Sequence, residues 1–560
     1  MLALKYTINS IVSSSKTQVK SVAFVQVTMV KPLQLATASS LLATSAIAAD
    51  PCSSIHGHGL QVPGAEVISV TGFTVTNATV PTLPPVPGPI SGLNFCNVSV
   101  ILTHPGANDS VAVEVWLPTQ DWNGRYQATG GAGYSTGEGE FALAPAVAAG
   151  YATSQTDGGN IGSGFVLNPQ TLTPDGQINW PLFTDYAYRS IHDMTIVSKF
   201  VIKEYYGKAQ KYSYWNGCST GGRQGWVQAQ MYPDDYDGIL AAAPAANTPS
   251  LGTAIQWPYV VMMQEKYIPS QCEFMAFINA SIAQCDGLDG VEDGIISNVQ
   301  GCAFDPYCLV GERITCDGKQ VTVTNITARI YQKILDGPTT PSGVKLWYGQ
   351  NVGTGFNGLY PGDIEVVTTN GTTTATPSPL SDNFIRYLLK RDPAYDTSQI
   401  TYSEFAQLFA QANFEFDWII SSNNPDLSRF RKSGGKMITW HGLGDNIVFP
   451  DGTINYRQRV EAVMGGTAAV DEFFRLYLPP GVNHCGGGYG PYPTDPLDAL
   501  VTWVEHGKAP ETLAGQYVDV NGEVVNHSIC RYPLVSKYDG EGNPNSASSY
   551  TCATSFGLKS

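Results

Sequence analysis

The chain has 560 residues, more than one compact core organises, so two or more structural units are expected. Hydrophobic residues make up 43% of it, and no low-complexity tract is long enough for a disordered protein. With 47 Asp plus Glu against 31 Lys plus Arg, a formal charge of −16, it repels nucleic acid and anionic membrane surfaces, so neither is an expected partner.

The first element in chain order is an export signal. Lys31 precedes the apolar run 41–49, and Ala46-Ile47-Ala48 fits a small-residue cleavage site. The run is too short to span a bilayer. Met29-Val30-Lys31 with this run makes an ordinary signal peptide by itself, so Met29 reads as the true start and 1–49 as a signal region. A secreted, extracellular protein follows. Export makes the 11 cysteines a disulfide framework with one left over. Sequons at Asn77, Asn97, Asn108, Asn279, Asn325, Asn370 and Asn526 predict a glycoprotein if the host glycosylates.

The proline-rich stretch 81–89 cannot be regular helix or central strand. Residues 98–102 and 111–117 read as early strands of a sheet. A glycine-rich turn follows at 129–134. Residues 185–206 read as an amphipathic helix, with Ile191, Met194, Ile196, Val197 and Val201 apolar. The aromatic β-prone run 211–216 leads straight into Gly217-Cys218-Ser219-Thr220-Gly221, and 224–231 has helix-forming composition. Late in the chain, the strand 436–442 ends in Leu443-Gly444-Asp445, and the strand 473–477 ends in Asn483-His484. A helix then starts at Pro496 and stops at Gly507. Residues 249–434 lack the alternating strand–helix rhythm and read as an inserted lid. The expected organisation is an α/β-hydrolase core in two parts, 50–248 and 435–560, flanking that lid domain.

Gly217 to Gly221 spells G-x-S-x-G. By itself the motif is equally an ordinary glycine turn. A strand before it, a helix after it, and the order Ser…Asp…His fit the nucleophile elbow of an α/β-hydrolase. Ser219 is then the nucleophile, His484 the base, and Asp445 the acid that holds the imidazole tautomer. His441, four residues before Asp445, reads as structural. His506 suits a helix C-terminus, His527 lies in a sequon, and His192 reads as a satisfied helix residue. Cys218 precedes Ser219 and Cys485 follows His484. If serine and histidine meet, their neighbours can meet too, and a Cys218–Cys485 disulfide staples nucleophile to base. In the lid, Asp286, Asp289, Glu292 and Asp293 crowd eight residues interleaved with glycines. Such acids repel one another unless a cation or solvent compensates, so the stretch is a Ca²⁺ loop or a solvated acidic loop; its spacing is not that of an EF-hand. Phe414, Phe416 and Trp418 either line an acyl pocket or belong to the core.

Cys218-Ser219, Asp445 and His484-Cys485 resemble the CS-D-HC motif of the tannase and feruloyl esterase family, and the elbow through Gly225 looks most like its fungal feruloyl esterase branch. The resemblance spans about 50–555. It implies a carboxylic ester hydrolase acting on aromatic, hydroxycinnamoyl esters of plant cell-wall sugars, with a small aromatic ester or feruloylated oligosaccharide as substrate. It also implies an oxyanion hole from the amides of Thr220 and Gly133. One structural calcium is implied in the lid, held by Asp286, Asp289 and Asp293 with the carbonyls of Val291 and Ile295. The implied pairings are Cys52–Cys96, Cys218–Cys485, Cys285–Cys302, Cys308–Cys316 and Cys530–Cys552, leaving Cys272 over. The rival readings are a tannase that cleaves galloyl esters and a non-catalytic glycoprotein that kept the hydrolase fold. The intact constellation speaks against the second. No His/Asp cluster has the spacing of a catalytic metal site.

Overall fold

A computed structural model describes residues 50–82, 88–316, 318–356, 362–519 and 521–554. The chain divides into Met1–Ala48 and Ala49–Ser560, and the description is of the second unit. The export-signal reading lies outside the described residues.

The framework is a nine-stranded sheet. Its strands are β1 (Glu66–Val80), β2 (Ile90–Thr103), β3 (Val111–Pro118), β4 (Arg125–Thr129), β5 (Ala152–Thr156), β6 (Tyr212–Cys218), β7 (Gly238–Ala242), β8 (Lys436–Trp440) and β9 (Phe474–Tyr477). They lie in the order β1-β2-β3-β5-β4-β6-β7-β8-β9. The first four in that order pair antiparallel, and from β5 to β9 every pairing is parallel. The parallel strands are short and buried, as strands covered by helices on both faces must be: Trp215, Ile239, Met437 and Phe474 are all inaccessible to solvent.

The helices used below are α1 (Ser190–Tyr206), α2 (Thr220–Met231), α3 (Tyr402–Ile420), α4 (Pro450–Met464) and α5 (Pro496–His506). The helix expected over 185–206 begins as a π turn, Asp185–Arg189, before α1 proper. α5 stops at Gly507, whose φ of 68° suits a glycine terminator. The elbow helix starts four residues earlier than its composition indicates, at Thr220. Two glycines lower its propensity there, but the turn at Ser219 dictates the start: the Arg223 amide already donates to the Ser219 carbonyl at 2.9 Å.

Between β7 and β8 the described residues add no strand to the large sheet. It forms helices, among them Gln271–Cys285 and α3, and two separate hairpins. Trp257, Phe274, Phe277, Tyr331, Phe405 and Phe416 build an apolar cluster there, which Ile161, Phe183 and Tyr186 from before the elbow complete.

The disulfides are Cys52–Cys96, Cys218–Cys485, Cys272–Cys316, Cys285–Cys302 and Cys530–Cys552. The expected Cys308–Cys316 pair is therefore wrong. Cys272, in the first turn of Gln271–Cys285, lies against the strand Arg313–Cys316, with Cα atoms of Cys272 and Cys316 5.7 Å apart. Cys308 sits in the exposed turn Pro306–Leu309 and is free.

Candidate functional site

Parallel strands direct their C-terminal ends to one edge of the sheet, where open α/β sheets bind ligands. Four such ends converge here. The glycine turn follows β4, Ser219 follows β6, Asp445 follows β8, and His484 follows β9.

Ser219 has φ 62° and ψ −120°, a conformation that costs a non-glycine residue on the order of 1–3 kcal/mol. The surroundings impose it. Its amide donates to Ala242 at the end of β7 (3.0 Å), and its carbonyl accepts from Ala245 (3.1 Å) and Arg223. The flanking Gly217 cannot carry a side chain: a Cβ there would lie 2.7 Å from the Gly221 carbonyl carbon.

The glycine turn is fastened to the elbow by three bonds. Gly221 donates to the Gly131 carbonyl (2.8 Å), the Gln224 side chain accepts from the Gly131 amide (3.0 Å), and the Thr220 hydroxyl donates to the Gly133 carbonyl (2.7 Å). That carbonyl accepts a second bond, from the Tyr186 hydroxyl at 2.7 Å. Gly133 has φ 57°, and a Cβ on it would fall 2.2 Å from the Gly164 oxygen. Arg223, buried in α2, donates to the carbonyls of Tyr186 and Ala187 and so locks the Tyr186 turn to the elbow helix. Tyr186 carries no motif signal and escapes sequence reading; Arg223 lies within the elbow motif, but its bonds to the Tyr186 turn do not show in the sequence.

Asp445 is fully buried. Its Oδ2 lies 2.7 Å from His484 Nδ1 and 3.0 Å from His441 Nε2, while its Oδ1 accepts from the amides of Ile447 (2.9 Å) and Val448 (2.8 Å). Burial alone would raise its carboxyl. The charge of His484 and the bonds from His441 and His484 outweigh that and hold it well below the usual carboxylate range. Since Asp445 accepts, His484 carries its proton on Nδ1 and leaves Nε2 as a base. His441 is not a bystander. Its Nε2 also faces the Val448 carbonyl (2.8 Å), so that nitrogen is the donor, and its Nδ1 pairs with the Thr453 hydroxyl (2.8 Å). Two imidazoles thus grip one carboxylate oxygen. The signal was its position, at the end of the strand that delivers Asp445. His192, by contrast, pairs with Asp235 (2.7 Å) away from the site.

Cys218 and Cys485 are bonded across a sequence separation of 267 residues, with Cα atoms 5.9 Å apart. Ser219 and His484 line one open cleft together with this disulfide, Glu138, Phe141 and Tyr492, with room of about 280 Å³. Burial pushes the Glu138 carboxyl above its ordinary value. On the lid side, Ser219 borders a second, narrower cavity of about 50 Å³, walled by Tyr134, Tyr186, Leu251, Ile255, Phe384 and Val448 among others. Phe416 belongs to the lid core, while Phe414 and Trp418 are exposed, and none of the three lines either cavity.

In the lid loop, Asp286 accepts from the amides of Asp293 (3.1 Å), Gly294 (2.8 Å) and Ile295 (3.2 Å). Asp289 accepts from Val291 (3.1 Å), but its Oδ2 is buried without a partner. Burial, then the charges of Asp289 and Asp286, push the Asp293 carboxyl up to about 7. An orphaned carboxylate oxygen amid uncompensated negative charge fits a hard cation. Another knot of metal-capable atoms, His104, Asp109 and Asp185, is engaged by a cation of the chain itself: Arg189 donates to Asp185 (2.6 Å) and to Asp109 (3.1 Å).

The family model for tannase and feruloyl esterase matches residues 96–553. A probable feruloyl esterase of Arthroderma benhamiae is 47% identical over 503 residues, 89% of this chain and 93% of the relative. Feruloyl esterase B of Aspergillus niger is 31% identical, covering 82% of this chain and 87% of its own. Among solved structures, a tannin acyl hydrolase from Aspergillus niger superposes with a TM-score of 0.78 at 27% identity, over 88% of this chain and 92% of that one. Feruloyl esterase B from Aspergillus oryzae gives 0.72 at 27% identity, over 90% and 99%.

Proposed function

Because this chain belongs to the tannase and feruloyl esterase family and is a carboxylic ester hydrolase, we propose that it hydrolyses hydroxycinnamoyl esters, feruloyl esters foremost, through an acyl-enzyme on Ser219. His484 Nε2 takes the proton as Ser219 Oγ attacks the ester carbonyl. The amides of Thr220 and Gly133 receive the developing oxyanion. The tetrahedral intermediate collapses, the alcohol leaves with the proton from His484, and water repeats the sequence to release the acid. Asp445 stabilises the imidazolium in both halves.

The observation that carries the acyl preference is the state of the hydroxyls in the lid-side cavity. Those of Tyr134, Tyr186, Thr220 and Thr248 all donate to backbone carbonyls, of Leu380, Gly133, Gly133 and Ala245. Apart from Ser219 and the glycines Gly133 and Gly252, the remaining wall is aliphatic and aromatic. Such a pocket takes a phenylpropenoyl group by apolar burial, and its hydroxyls have no hydrogen left to donate to the three phenolic oxygens of a galloyl group. Each hydroxyl buried without a partner costs about 1–3 kcal/mol. Initial rates on methyl ferulate, methyl caffeate and methyl gallate test this. The expected kcat/KM falls in that order, with gallate at least roughly tenfold below ferulate. Faster turnover of gallate makes the protein a tannase.

Export belongs to the same proposal. Five disulfides need an oxidising compartment, and no helix among the described residues is long and apolar enough to cross a membrane.

The lid acids Asp286, Asp289 and Asp293 hold a structural calcium in this reading, with the carbonyls of Val291 and Ile295. When bound, the ion supplies positive charge to carboxylates that otherwise repel. A ligand bound only by the folded state stabilises it. EDTA treatment is therefore expected to lower Tm by several degrees, with added Ca²⁺ restoring it, while kcat on methyl ferulate at low temperature is unchanged. An identical melting curve, with no metal in elemental analysis, contradicts the ion.

A further inference from the structure

The two most exposed large apolar side chains among the described residues are neighbours on one helix. Phe414 is 88% exposed and Trp418 is 70% exposed. Both lie on α3, four residues apart and so on one face. Trp180, 37% exposed, joins them from before the elbow: its ring centroid is 5.8 Å from that of Trp418, at an interplanar angle of 40°. The Trp180 and Trp418 rings are held in place. Trp180 rests on Phe183 and on Phe416, each 5.9 Å away. The Trp418 indole N–H donates to the Glu415 carbonyl at 2.9 Å. Solvent exposure of pre-positioned aromatic rings marks a contact surface.

We propose that Trp180, Phe414 and Trp418 form a stacking platform for the sugar rings of a neutral polysaccharide. The apolar C–H faces of pyranose rings pack on aromatic rings by dispersion and apolar burial, and flat, rigid rings bind them at little entropic cost. Charge selects a neutral chain. Glu415 and Asp417 flank the rings, Arg391 is engaged by Glu415 at 2.9 Å, and the whole chain carries −16, so an anionic polymer or membrane is repelled. Area argues against a second copy. Three such rings expose together about 400 Å², half of the roughly 800 Å² that each partner contributes to a stable interface. The platform is also linked to the wall of the candidate acyl pocket through buried rings: Phe384, in that wall, lies 6.0 Å from Phe416, which in turn carries Trp180. The choice of a cell-wall polymer rests on the esterase reading above, and a platform near the pocket would hold the enzyme on the polymer that bears its esters.

Affinity electrophoresis in native gels containing soluble neutral arabinoxylan tests this, with polygalacturonate gels as the anionic comparison. Wild-type protein is expected to be retarded by arabinoxylan and not by polygalacturonate. Phe414→Ala/Trp418→Ala is expected to weaken retardation at least fivefold, and Trp418→Phe to keep most of it. On methyl ferulate the double variant should stay within about twofold of wild type, whereas ferulate release from feruloylated arabinoxylan should fall three- to tenfold. Retardation that survives the double substitution, or is absent in wild type, overturns the platform. So does a wild-type dimer, by light scattering, that the double substitution dissociates, since a second copy then occupies the surface. Failure on methyl ferulate sinks the esterase reading separately, because the gel reads binding without hydrolysis.

Discussion

Ser219→Ala is expected to reduce ester hydrolysis by a factor on the order of 10⁴ or more while leaving the fold and Tm nearly unchanged. The two effects separate because Ser219 does different things with its backbone and its side chain. The strained turn is enforced by backbone bonds to Ala242, Ala245 and Arg223, and alanine occupies the same positive-φ conformation with the same Cβ. The side-chain oxygen caps no amide in the helix that follows, so its removal costs little stability. It does remove the atom proposed to attack. Asp445→Asn should come close to the same loss, because the amide no longer fixes His484 with its proton on Nδ1. It should also destabilise the protein, since a fully buried group that accepts from two imidazoles and two amides is replaced by one that can accept at only one end. Purified, folded Ser219→Ala with full activity would dismiss the assignment.

The double variant Cys218→Ala/Cys485→Ala is expected to lose kcat on the order of 10²-fold, with KM within about threefold of wild type. The disulfide joins the residue before Ser219 to the residue after His484. The His484 loop continues into Gly486-Gly487-Gly488, which gives it little stiffness of its own. The bond to Asp445 orients the imidazole, but Asp445 stands behind it and does not set its reach toward Ser219. The lid-side cavity proposed to take the acyl group contains neither cysteine, so binding should survive. Stability should fall as well, by about 2–4 kcal/mol for a cross-link closing so long a loop. Wild-type kcat in folded double variant would show the disulfide to be catalytically idle, and non-reducing peptide maps would show whether it forms.

The candidate site was legible because its residues carry their context with them. The G-x-S-x-G turn lies between a strand and a helix, and Asp445 and His484 each close a strand, so order along the chain implied convergence at one sheet edge. Cys218 and Cys485 were legible as a pair only through the residues beside them. Cys272 had no such neighbour. Its partner was decided by how a helix start packs on a hairpin 44 residues later, and this depends on lid packing that no local pattern encodes. His441 was read as structural because one sequence position cannot tell a satisfied histidine from one that braces a carboxylate; the difference is an approach of 3.0 Å. Phe414, Phe416 and Trp418 show the same limit. Helical spacing separates Phe416 from the other two, but which face meets the core was settled by Phe183 and Phe384, residues distant in the chain.

The central claim is that Ser219 is the activated nucleophile. Its most direct measurement is labelling with an alkyl fluorophosphonate, which bonds to an activated serine oxygen and releases fluoride without being hydrolysed off. The expected result is one adduct per chain, on the peptide containing Ser219, formed in proportion to the loss of methyl ferulate hydrolysis and slowed by added substrate. Complete inactivation with the adduct on another residue, or full labelling of Ser219 with activity retained, would contradict it.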